Sequence, residues 1–390
     1  MENKNSHTEN GFLLTLYIAT FFLSFHYYFV FFINSTFLST FIPDQYVGFA
    51  YAAAAIINVF LFLSAPKLLQ RYGNFKFFMV LLFLEATSLL GLAFGKTLGI
   101  VAPLFLIHFA TNPLLIFGID IFLKKYSKEK NVGRIRGVYL TMLNLPVIVA
   151  PFISGIILDK YSFSYLYITA FILVIPLFLL IYFKFKNFED ESYQEISIFK
   201  TLKKVGKNQD IFDIIANTFL LNFFYSWMAI YVPIYLVQFV HFTWTEIGIM
   251  FSIMLTPFVL FQYPLGYLAD KKLGEKEILI TGSIIAGIST LAIPFIRENN
   301  FILWTVILFA TRTGASFIEL GTESYFFKKI KKDDVNLISL FRMLRELPYI
   351  ISPIIAFFVL AFLSFQYIFI VLGLLMLLGV YYAFALKDTR

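Results

Sequence analysis

The sequence predicts an all-α polytopic membrane protein with twelve transmembrane helices in two pseudo-symmetric bundles of six. Two observations support this prediction. Hydrophobic residues make up 59% of the 390-residue chain and its mean hydropathy is +0.80, whereas a soluble domain is about half apolar. The chain also repeats itself, because Leu145–Pro151 in the first half returns as Leu347–Pro353 in the second, with prolines at the same two positions.

The repeat extends upstream of these two segments. Each copy follows a glycine, an acid and a double lysine, which are Gly118, Asp120 and Lys124-Lys125 in the first half and Gly321, Glu323 and Lys328-Lys329 in the second. The copies lie about 200 residues apart in strongly apolar sequence. A duplicated hydrophobic sequence is typical of a transporter built from two repeats.

Apolar stretches of roughly 20 residues can cross a hydrocarbon core of about 30 Å. They predict the spans 11–34, 46–66, 77–95, 100–123, 136–158, 164–184, 211–237, 244–268, 277–296, 301–326, 337–361 and 366–386. The predicted bundles are therefore residues 1–184 and 211–390, joined by a cytoplasmic linker at 185–210. In the linker, apolar residues recur every three positions, which fits either a short helix on the membrane surface or a solvated linker; they are Ile196, Phe199, Leu202 and Val205.

The basic residues predict the orientation. All but six of the 31 Lys and Arg residues fall in the tails and in alternate loops. The intervening loops hold only Lys96, Lys160 and Arg297. Because basic loops remain on the cytoplasmic side, both termini are predicted to be cytoplasmic in a multi-pass protein of the plasma membrane.

Composition also argues against several classes of protein. The chain has no cysteine and four histidines, so we expect no disulfide, metal centre or other cofactor. It has no Gly-x4-Gly-Lys-Ser/Thr motif, which argues against direct ATP coupling. The net charge of +7 lies in loops between apolar spans, and therefore predicts no nucleic-acid partner. The expected partners are a small-molecule substrate, protons and the lipid bilayer, and we expect a monomer.

The loop between spans eight and nine carries the most specific motif, which runs from Gly266 through Leu268, Ala269, Asp270, Lys271 and Lys272 to Gly274. In this motif, and over its full length, the chain resembles the major facilitator superfamily. The family has a Gly-x-Leu-Ala-Asp core followed by basic residues and glycine here and between spans two and three. The first copy departs from this pattern, because Gln70 stands before Arg71 where the family usually has aspartate.

The resemblance implies rocker-switch alternating access and a cytoplasmic gate. In such a gate, a carboxylate near the start of a neighbouring helix meets its unpaired N–H groups and the positive end of its dipole. The residues assigned to the gate are Asp270, Lys271, Arg71, Asp120, Gly266 and Gly274. The alternative for Asp270 is an ordinary loop acid.

Span five resembles the family's glycine-rich antiporter motif in its spacing. The matching positions are Gly137, Pro146, Ala150-Pro151 and Ser154-Gly155, with Pro, Ala and Ser in place of three glycines. Small residues there permit close helix approach and a bend. Because the second half carries a similar Ser352-Pro353, generic packing explains part of this pattern, and antiport is favoured only slightly.

Spans ten and eleven contain ionisable residues that lipid would not tolerate. At 100° per residue, Glu319 and Glu323 lie within about 20° of Arg312 on span ten. Each charge at the bilayer centre costs about 2.5–3.5 kcal/mol, so these groups must pair or face a wet cavity. Spans ten and eleven are consecutive and form a hairpin, so residues at equal distance from their shared loop lie at equal depth. This matching predicts the pairs Glu323–Arg342 and Glu319–Arg345. The expected buried ion pairs comprise Glu323, Arg342, Arg345 and Glu346, for which a purely structural ladder is the alternative.

Arg312 lies near mid-membrane without a partner on its own helix, and it suits an anionic group of a substrate or a partner across a cavity. In the resemblance to the family, His108 in span four looks like the counterpart of Arg312 in span ten. His108 is a candidate proton carrier, as are Glu319 and Glu323. Glu85 is an isolated charge, for which we expect at most a partner in the first half. The full set expected at a substrate and coupling cavity is Arg312, His108, Glu319, Asn112, His26, Tyr27, Asn222, Ser226 and Trp227, with packing as the alternative for the aromatic residues.

These observations favour secondary active transport of a small organic solute. Proton-coupled efflux of amphipathic compounds is slightly ahead, because of the spacing in span five and the aromatic content. Arg312 favours the alternative, proton-coupled uptake of an anionic nutrient. A lipid or lysolipid flippase is a further alternative. A membrane sensor and a membrane enzyme are weaker hypotheses, the latter because no nucleophile–base constellation stands out.

Overall fold

The computed structural model describes residues 2–126, 132–190, 206, 208–261, 264–265, 274–296, 298–329, 341 and 343–387. The helices of this part of the chain are α1 (Glu2–Phe31), α2 (Asn34–Ser39), α3 (Asp44–Phe94), α4 (Leu98–Tyr126), α5 (Val132–Lys160), α6 (Phe163–Phe185), α7 (Gln209–Gln238), α8 (Trp244–Leu255), α9 (Pro257–Leu260), α10 (Glu275–Ala292), α11 (Phe301–Lys329), α12 (Leu347–Phe362) and α13 (Tyr367–Ala385). A short 3-10 turn, Ile293–Phe295, follows α10.

The helices fit the twelve predicted membrane crossings. In the described ranges, nine helical segments are long and apolar enough to span a membrane. One of them, α3, has 51 residues and holds spans two and three on either side of Gly73. Two shorter apolar segments, Trp244–Leu260 and Leu347–Phe362, coincide with spans eight and eleven. The protein is therefore an all-helical, multi-pass membrane protein, and its helices are consistent with twelve spans.

Local sequence explains where several helices begin. A capping box opens α8, because Thr243 accepts a hydrogen bond from the Glu246 amide at 3.3 Å while Glu246 accepts one from the Thr243 amide at 2.9 Å. Helix α12 has Pro348 in its first turn, where the missing N–H of proline costs nothing. The helix begins at Leu347, directly after a turn at residues 344–346.

Two glycines adopt equivalent backbone conformations in the two halves. Gly73 interrupts α3 with φ 75° and ψ 160°, and Gly274 precedes α10 with φ 87° and ψ 162°. Both conformations lie at positive φ, which glycine adopts without the steric penalty of a side chain. These glycines lie at the ends of the two loop motifs, so the motif repeats in backbone geometry as well as in sequence.

The helices that follow these glycines also pack in the same way. A Cβ atom at Gly118 of α4 would lie 2.5 Å from Phe78, and one at Gly321 of α11 would lie 2.6 Å from Leu279. Phe78 and Leu279 each stand five residues after their positive-φ glycine. A glycine therefore permits the same close helix crossing in each half.

The chain divides into two compact units, the first formed by Met1–Phe37 and Ala53–Glu195 and the second by Leu38–Ala52 and Ile196–Arg390. The predicted division into bundles at 1–184 and 211–390 remains a prediction. In the second unit, the ring of Tyr46 lies 5.7 Å from that of Phe357. The predicted surface helix at 196–205 lies outside the described residues and remains a prediction.

In each unit, the helix that carries the first span of that half packs against several others. In the first unit, α1 packs against α4, α5 and α6. In the second unit, α7 packs against α11, α12 and α13. These sets correspond, since α1 and α7 carry spans one and seven, and their neighbours carry spans four to six and ten to twelve. The neighbour pattern is thus repeated, as the duplicated sequence predicts.

Candidate functional site

A fully buried carboxylate, Glu85 in α3, lies at the centre of the first unit's polar interior. Two imidazoles from other helices reach it. His26 Nε2, in α1, lies 3.1 Å from Glu85 Oε1, and His108 Nδ1, in α4, lies 2.8 Å from the same oxygen. Both histidines are fully buried. Glu85, which the sequence analysis left isolated, therefore has its partners in the first half.

Helix α4 supplies two further groups to this carboxylate. Thr111 Oγ1 donates to Glu85 Oε2 at 2.7 Å, and Asn112 Nδ2 donates to Glu85 Oε1 at 3.2 Å. His108, Thr111 and Asn112 reach the same group because residues three and four apart share one helix face. We call Glu85, His26, His108, Thr111 and Asn112 the Glu85 cluster.

The Glu85 cluster continues through an amide to a buried tyrosine. Asn34 Nδ2 lies 3.2 Å from His108 Nε2, and the hydroxyl of Tyr167 donates to Asn34 Oδ1 at 2.7 Å. The ring of Tyr27 lies 6.3 Å from that of His108. Four predicted cavity residues thus meet in this region, namely His26, His108, Asn112 and Tyr27.

Arg312, in α11, is a buried charge of the second unit, with 3% of its surface exposed. Its guanidinium lies over two rings of α7, at 5.1 Å from the centroid of Phe224 and 5.6 Å from that of Tyr225. Its buried Nε has no hydrogen-bond partner. Within the part of the chain that the structure describes, Arg312 makes no ion pair. The rings stabilise the cation without neutralising it.

The other charges of α11 lie towards the end of the helix. The hydroxyl of Tyr225 donates to Glu319 Oε2 at 3.4 Å. Arg345 forms an ion pair with Glu323, and both side chains are 36% exposed. Arg345 thus contacts Glu323 directly, from the turn that residues 344–346 form before α12. The predicted pairing of Arg345 with Glu319 remains a prediction.

A further member of the predicted ion-pair group, Glu346, lies in this turn and is the N-cap residue of α12. Arg342 lies outside the described residues, so its predicted pairing with Glu323 remains a prediction. The Glu323–Arg345 pair is partly exposed. Its two charges therefore lose less hydration than the fully buried pair expected for span eleven would.

Three predicted cavity residues of α7 make contacts inside the second unit. Ser226 Oγ lies 2.7 Å from Ser352 Oγ, and Trp227 Nε1 donates to the carbonyl of Ser352 at 2.8 Å. These bonds hold α7 against α12. Asn222 Nδ2 donates to the carbonyl of Thr218 at 2.8 Å. A role in substrate binding remains a prediction for all three.

The predicted antiporter segment makes one hydrogen bond within α5 and one to α1. Pro146 and Pro151 lie inside α5, and Ser154 Oγ donates to the carbonyl of Pro151 at 3.0 Å. Ser24 Oγ, from α1, donates to the carbonyl of Leu143 at 2.5 Å. The segment thus serves the packing of α1 on α5, and antiport itself remains a prediction.

A carboxylate lies at the start of the helical segment that follows Gly73, between spans two and three. It does not come from the loop motif, in which Gln70 replaces the usual aspartate. Asp190, just after α6, accepts a hydrogen bond from the backbone amide of Asn74 at 2.8 Å. Asn74 Nδ2 in turn donates to the carbonyl of Gly118 at 2.9 Å. Asp190 therefore supplies a carboxylate next to Gly73, whereas the sequence has the uncharged Gln70 at the motif's usual aspartate position. The only sequence signal was the acidic run at 189–191.

The neighbouring residue strengthens this attachment. Lys125 Nζ, at the end of α4, lies 3.8 Å from Glu189 Oε2 and also donates to the Glu189 carbonyl. Of the other predicted gate residues, Arg71 is exposed with its guanidinium 5.3 Å from the ring of Tyr72, and Asp120 is half-buried in α4. Gly266, Asp270 and Lys271 lie outside the described residues.

Long apolar helices, repeated packing in two units and buried ionisable groups together define a multi-pass membrane transporter. The family model described as Major Facilitator Superfamily matches residues 16–318 and, in a second match, residues 218–390. The chain belongs to the major facilitator superfamily, a family of transporters and not of enzymes. This confirms the resemblance inferred from the loop motif.

Solved structures share the fold. The chain is similar to an auto-inhibited POT family peptide transporter, with a TM-score of 0.76 and 10% identity over 97% of this chain and 98% of that one. It is also similar to a POT family transporter in complex with a thioalcohol-conjugated peptide, with a TM-score of 0.76 and 12% identity over 95% and 94% of the two chains. No curated protein sequence matches this chain.

Proposed function

We propose that the protein is a proton-driven secondary transporter of a small organic anion with an apolar body, working by alternating access. The observation that carries this proposal is Arg312, a buried guanidinium without an ion-pair partner among the described residues. A charge in the membrane interior is costly and commonly serves a substrate or ion pathway. An anionic group on the solute would complete this site.

The chemistry of arginine favours an oxyanion as the group bound. Its planar guanidinium presents paired N–H donors that match the two oxygens of a carboxylate or phosphate. Phe224 and Tyr225, which lie against Arg312, offer apolar surface to the rest of the solute. An anionic head with an apolar body thus suits this site better than the lipophilic cation that general efflux would also admit.

The solved structures suggest one class for the test panel. Both printed descriptions name peptides, and a short peptide carries a terminal carboxylate. At 10–12% identity these structures support the fold alone. Short peptides therefore belong in the panel beside simple carboxylates and phosphate esters, without preference among them.

The test is a thermal-shift screen of the purified protein at two pH values. Organic anions should stabilise the wild type, and Arg312→Gln should weaken the apparent affinity about 30-fold, because a charge-assisted hydrogen bond contributes about 2 kcal/mol and 1.4 kcal/mol is tenfold. Arg312→Lys should retain part of the affinity. Lys160→Gln, at an exposed lysine, is the matched control. Stabilisation by lipophilic cations only would contradict the proposal.

Direction follows from a second measurement on the same protein. In proteoliposomes, an imposed proton gradient should drive the selected anion against its own gradient. Movement of the anion opposite to the proton would indicate antiport and efflux, as the spacing in span five suggests. Movement with the proton would indicate uptake. A flux that ignores the proton gradient would refute proton coupling.

A further inference from the structure

We infer that the Glu85 cluster is the proton site of this transporter, and that it holds one exchangeable proton between Glu85 and His26. The inference rests on the proposed function and adds the location and number of the coupling protons. The sequence analysis named His108, Glu319 and Glu323 as proton carriers. The geometry points instead to the carboxylate that it left unexplained and to the second histidine that contacts it.

The two nitrogens of His26 face only acceptors. Nδ1 lies 3.2 Å from the carbonyl oxygen of Phe22, and Nε2 lies 3.1 Å from Glu85 Oε1. A neutral imidazole has one donor and one acceptor nitrogen, whereas the imidazolium has two donors. Both contacts of His26 are satisfied when one proton lies on the Nε2–Oε1 contact, either as an imidazolium with a carboxylate or as a neutral ring with a carboxylic acid. The hydrogen bonds that Glu85 also accepts from His108, Thr111 and Asn112 favour the carboxylate, and hence the imidazolium.

His108 has a different pair of neighbours. Nδ1 lies 2.8 Å from Glu85 Oε1, so this nitrogen donates. Nε2 lies 3.2 Å from Asn34 Nδ2, whose carbonyl oxygen is already engaged by the hydroxyl of Tyr167. The amide of Asn34 thus donates to Nε2, which must accept. His108 is consequently neutral, with its proton on Nδ1.

These assignments make the cluster neutral as a whole. Glu85 carries one negative charge, His26 one positive charge and His108 none. Two further titratable side chains of the described residues lie near the cluster, namely Tyr27 beside His108 and Tyr167 beyond Asn34. Among the described residues, no lysine or arginine forms an ion pair with the cluster. Within this part of the chain, the single extra proton on His26 is thus the only compensation for the Glu85 charge.

Full burial links this proton to the movement of the protein. Loss of the proton while the site is sealed would leave a buried carboxylate without a counter-charge, which is strongly unfavourable. The N–H bond of His26 Nε2 can break as an O–H bond forms on Glu85, which leaves a neutral imidazole and a carboxylic acid. The acid then gives its proton to water only when the site hydrates. Release of the proton therefore requires the first unit to open.

The proton site and the proposed anion site lie in different halves of the chain. Glu85, His26 and His108 belong to the first unit, whereas Arg312 belongs to the second. A variant of the proton site should therefore change coupling and leave recognition of the solute intact. This separation makes the inference testable independently of the proposed function.

The direct test is nitrogen NMR of histidine-labelled protein, which is practical because the chain has four histidines. At neutral pH, the wild type should show His26 as an imidazolium and His108 as a neutral ring protonated on Nδ1. In Glu85→Gln, both rings should be neutral. His241→Gln, at an exposed histidine, assists assignment. Two neutral rings beside an ionised Glu85, whose charge the chemical shift of its carboxyl carbon reports, would overturn the inference, whatever the transport results show.

The functional test compares two kinds of flux in proteoliposomes. Glu85→Gln should retain solute exchange without a gradient, within about twofold of wild type, and should lose at least tenfold of the accumulation driven by a proton gradient. Glu298→Gln, at an exposed carboxylate, should retain both. If Glu85→Gln retained accumulation driven by the proton gradient, the assignment of the proton site would be refuted, whereas the proposed anion transport would not. If the wild type showed no anion flux but the NMR spectra were as expected, only the proposed function would be refuted.

Discussion

Arg312 and Glu85 are both buried charges in membrane-spanning helices, and the structure accommodates them in opposite ways. Glu85 accepts hydrogen bonds from four side chains on two other helices. Arg312 has aromatic rings beside it and an unpartnered Nε. A satisfied charge of this kind suits a small exchangeable ion such as a proton, whereas an unsatisfied one suits a ligand that brings its own charge.

Tyr167 offers a residue-scale test of the polar network. Its hydroxyl donates to Asn34 and is fully buried, so Tyr167→Phe should lower the free energy of unfolding by about 1 kcal/mol. Tyr165→Phe, on the same helix but 57% exposed, should have no measurable effect. Thermal unfolding of both variants in the same detergent provides the comparison. Equal stabilities of the two variants would contradict the assigned hydrogen bond.

At the scale of the elements, the close crossing of α4 on the second part of α3 depends on a glycine. Gly118→Ala places a Cβ 2.5 Å from Phe78, and such overpacking typically costs about 1–3 kcal/mol. Gly99→Ala, in the same helix, meets no atom within 4 Å and should leave stability unchanged or slightly raised. Thermal unfolding checks both. An equal loss of stability in the two variants would indicate that α4 is sensitive to any glycine substitution, independently of the contact with Phe78.

The second half provides an internal control for the same argument. Gly321→Ala in α11 places its Cβ 2.6 Å from Leu279, and it should therefore destabilise the protein about as much as Gly118→Ala. If the two variants differed by more than about 2 kcal/mol in their loss of unfolding free energy, the similar geometry of the two crossings would not imply a similar contribution to stability.

The helix start after Gly73 gives another prediction at this scale. Asp190→Ala removes the carboxylate that accepts from the Asn74 amide, and loss of such a cap typically costs about 0.5–2 kcal/mol. Glu298→Ala, at an exposed loop position, is the control. Chemical unfolding curves measure the difference. Retention of full stability by Asp190→Ala would mean that the linker does not anchor this helix.

The whole molecule is suited to a test of its predicted orientation, because the chain contains no cysteine. A membrane-impermeant maleimide applied to intact cells should label Lys96→Cys and Lys160→Cys, which lie in loops predicted to be outside. Arg71→Cys, in a loop predicted to be cytoplasmic, should react only after the membrane is opened. All three positions are exposed in the structure. The reverse pattern would invert the predicted topology.

The sequence by itself determined the membrane class, the repeat, the superfamily and the short list of buried charges. Apolar length, basic loops and repeated prolines are properties of local sequence, and hydropathy measures them directly. His26, His108, Asn112 and Arg312 were identified because a polar side chain in an apolar span is conspicuous without any knowledge of its neighbours.

Only the tertiary structure decided which of these residues meet. His26 and Glu85 are 59 positions apart and Asn74 and Asp190 are 116 apart, so neither contact follows from the periodicity of one helix. The Arg345–Glu323 pair likewise required the position of the turn before Leu347. Contacts between helices depend on the crossing geometry that glycines such as Gly118 permit, and that geometry is set by packing between segments distant in sequence.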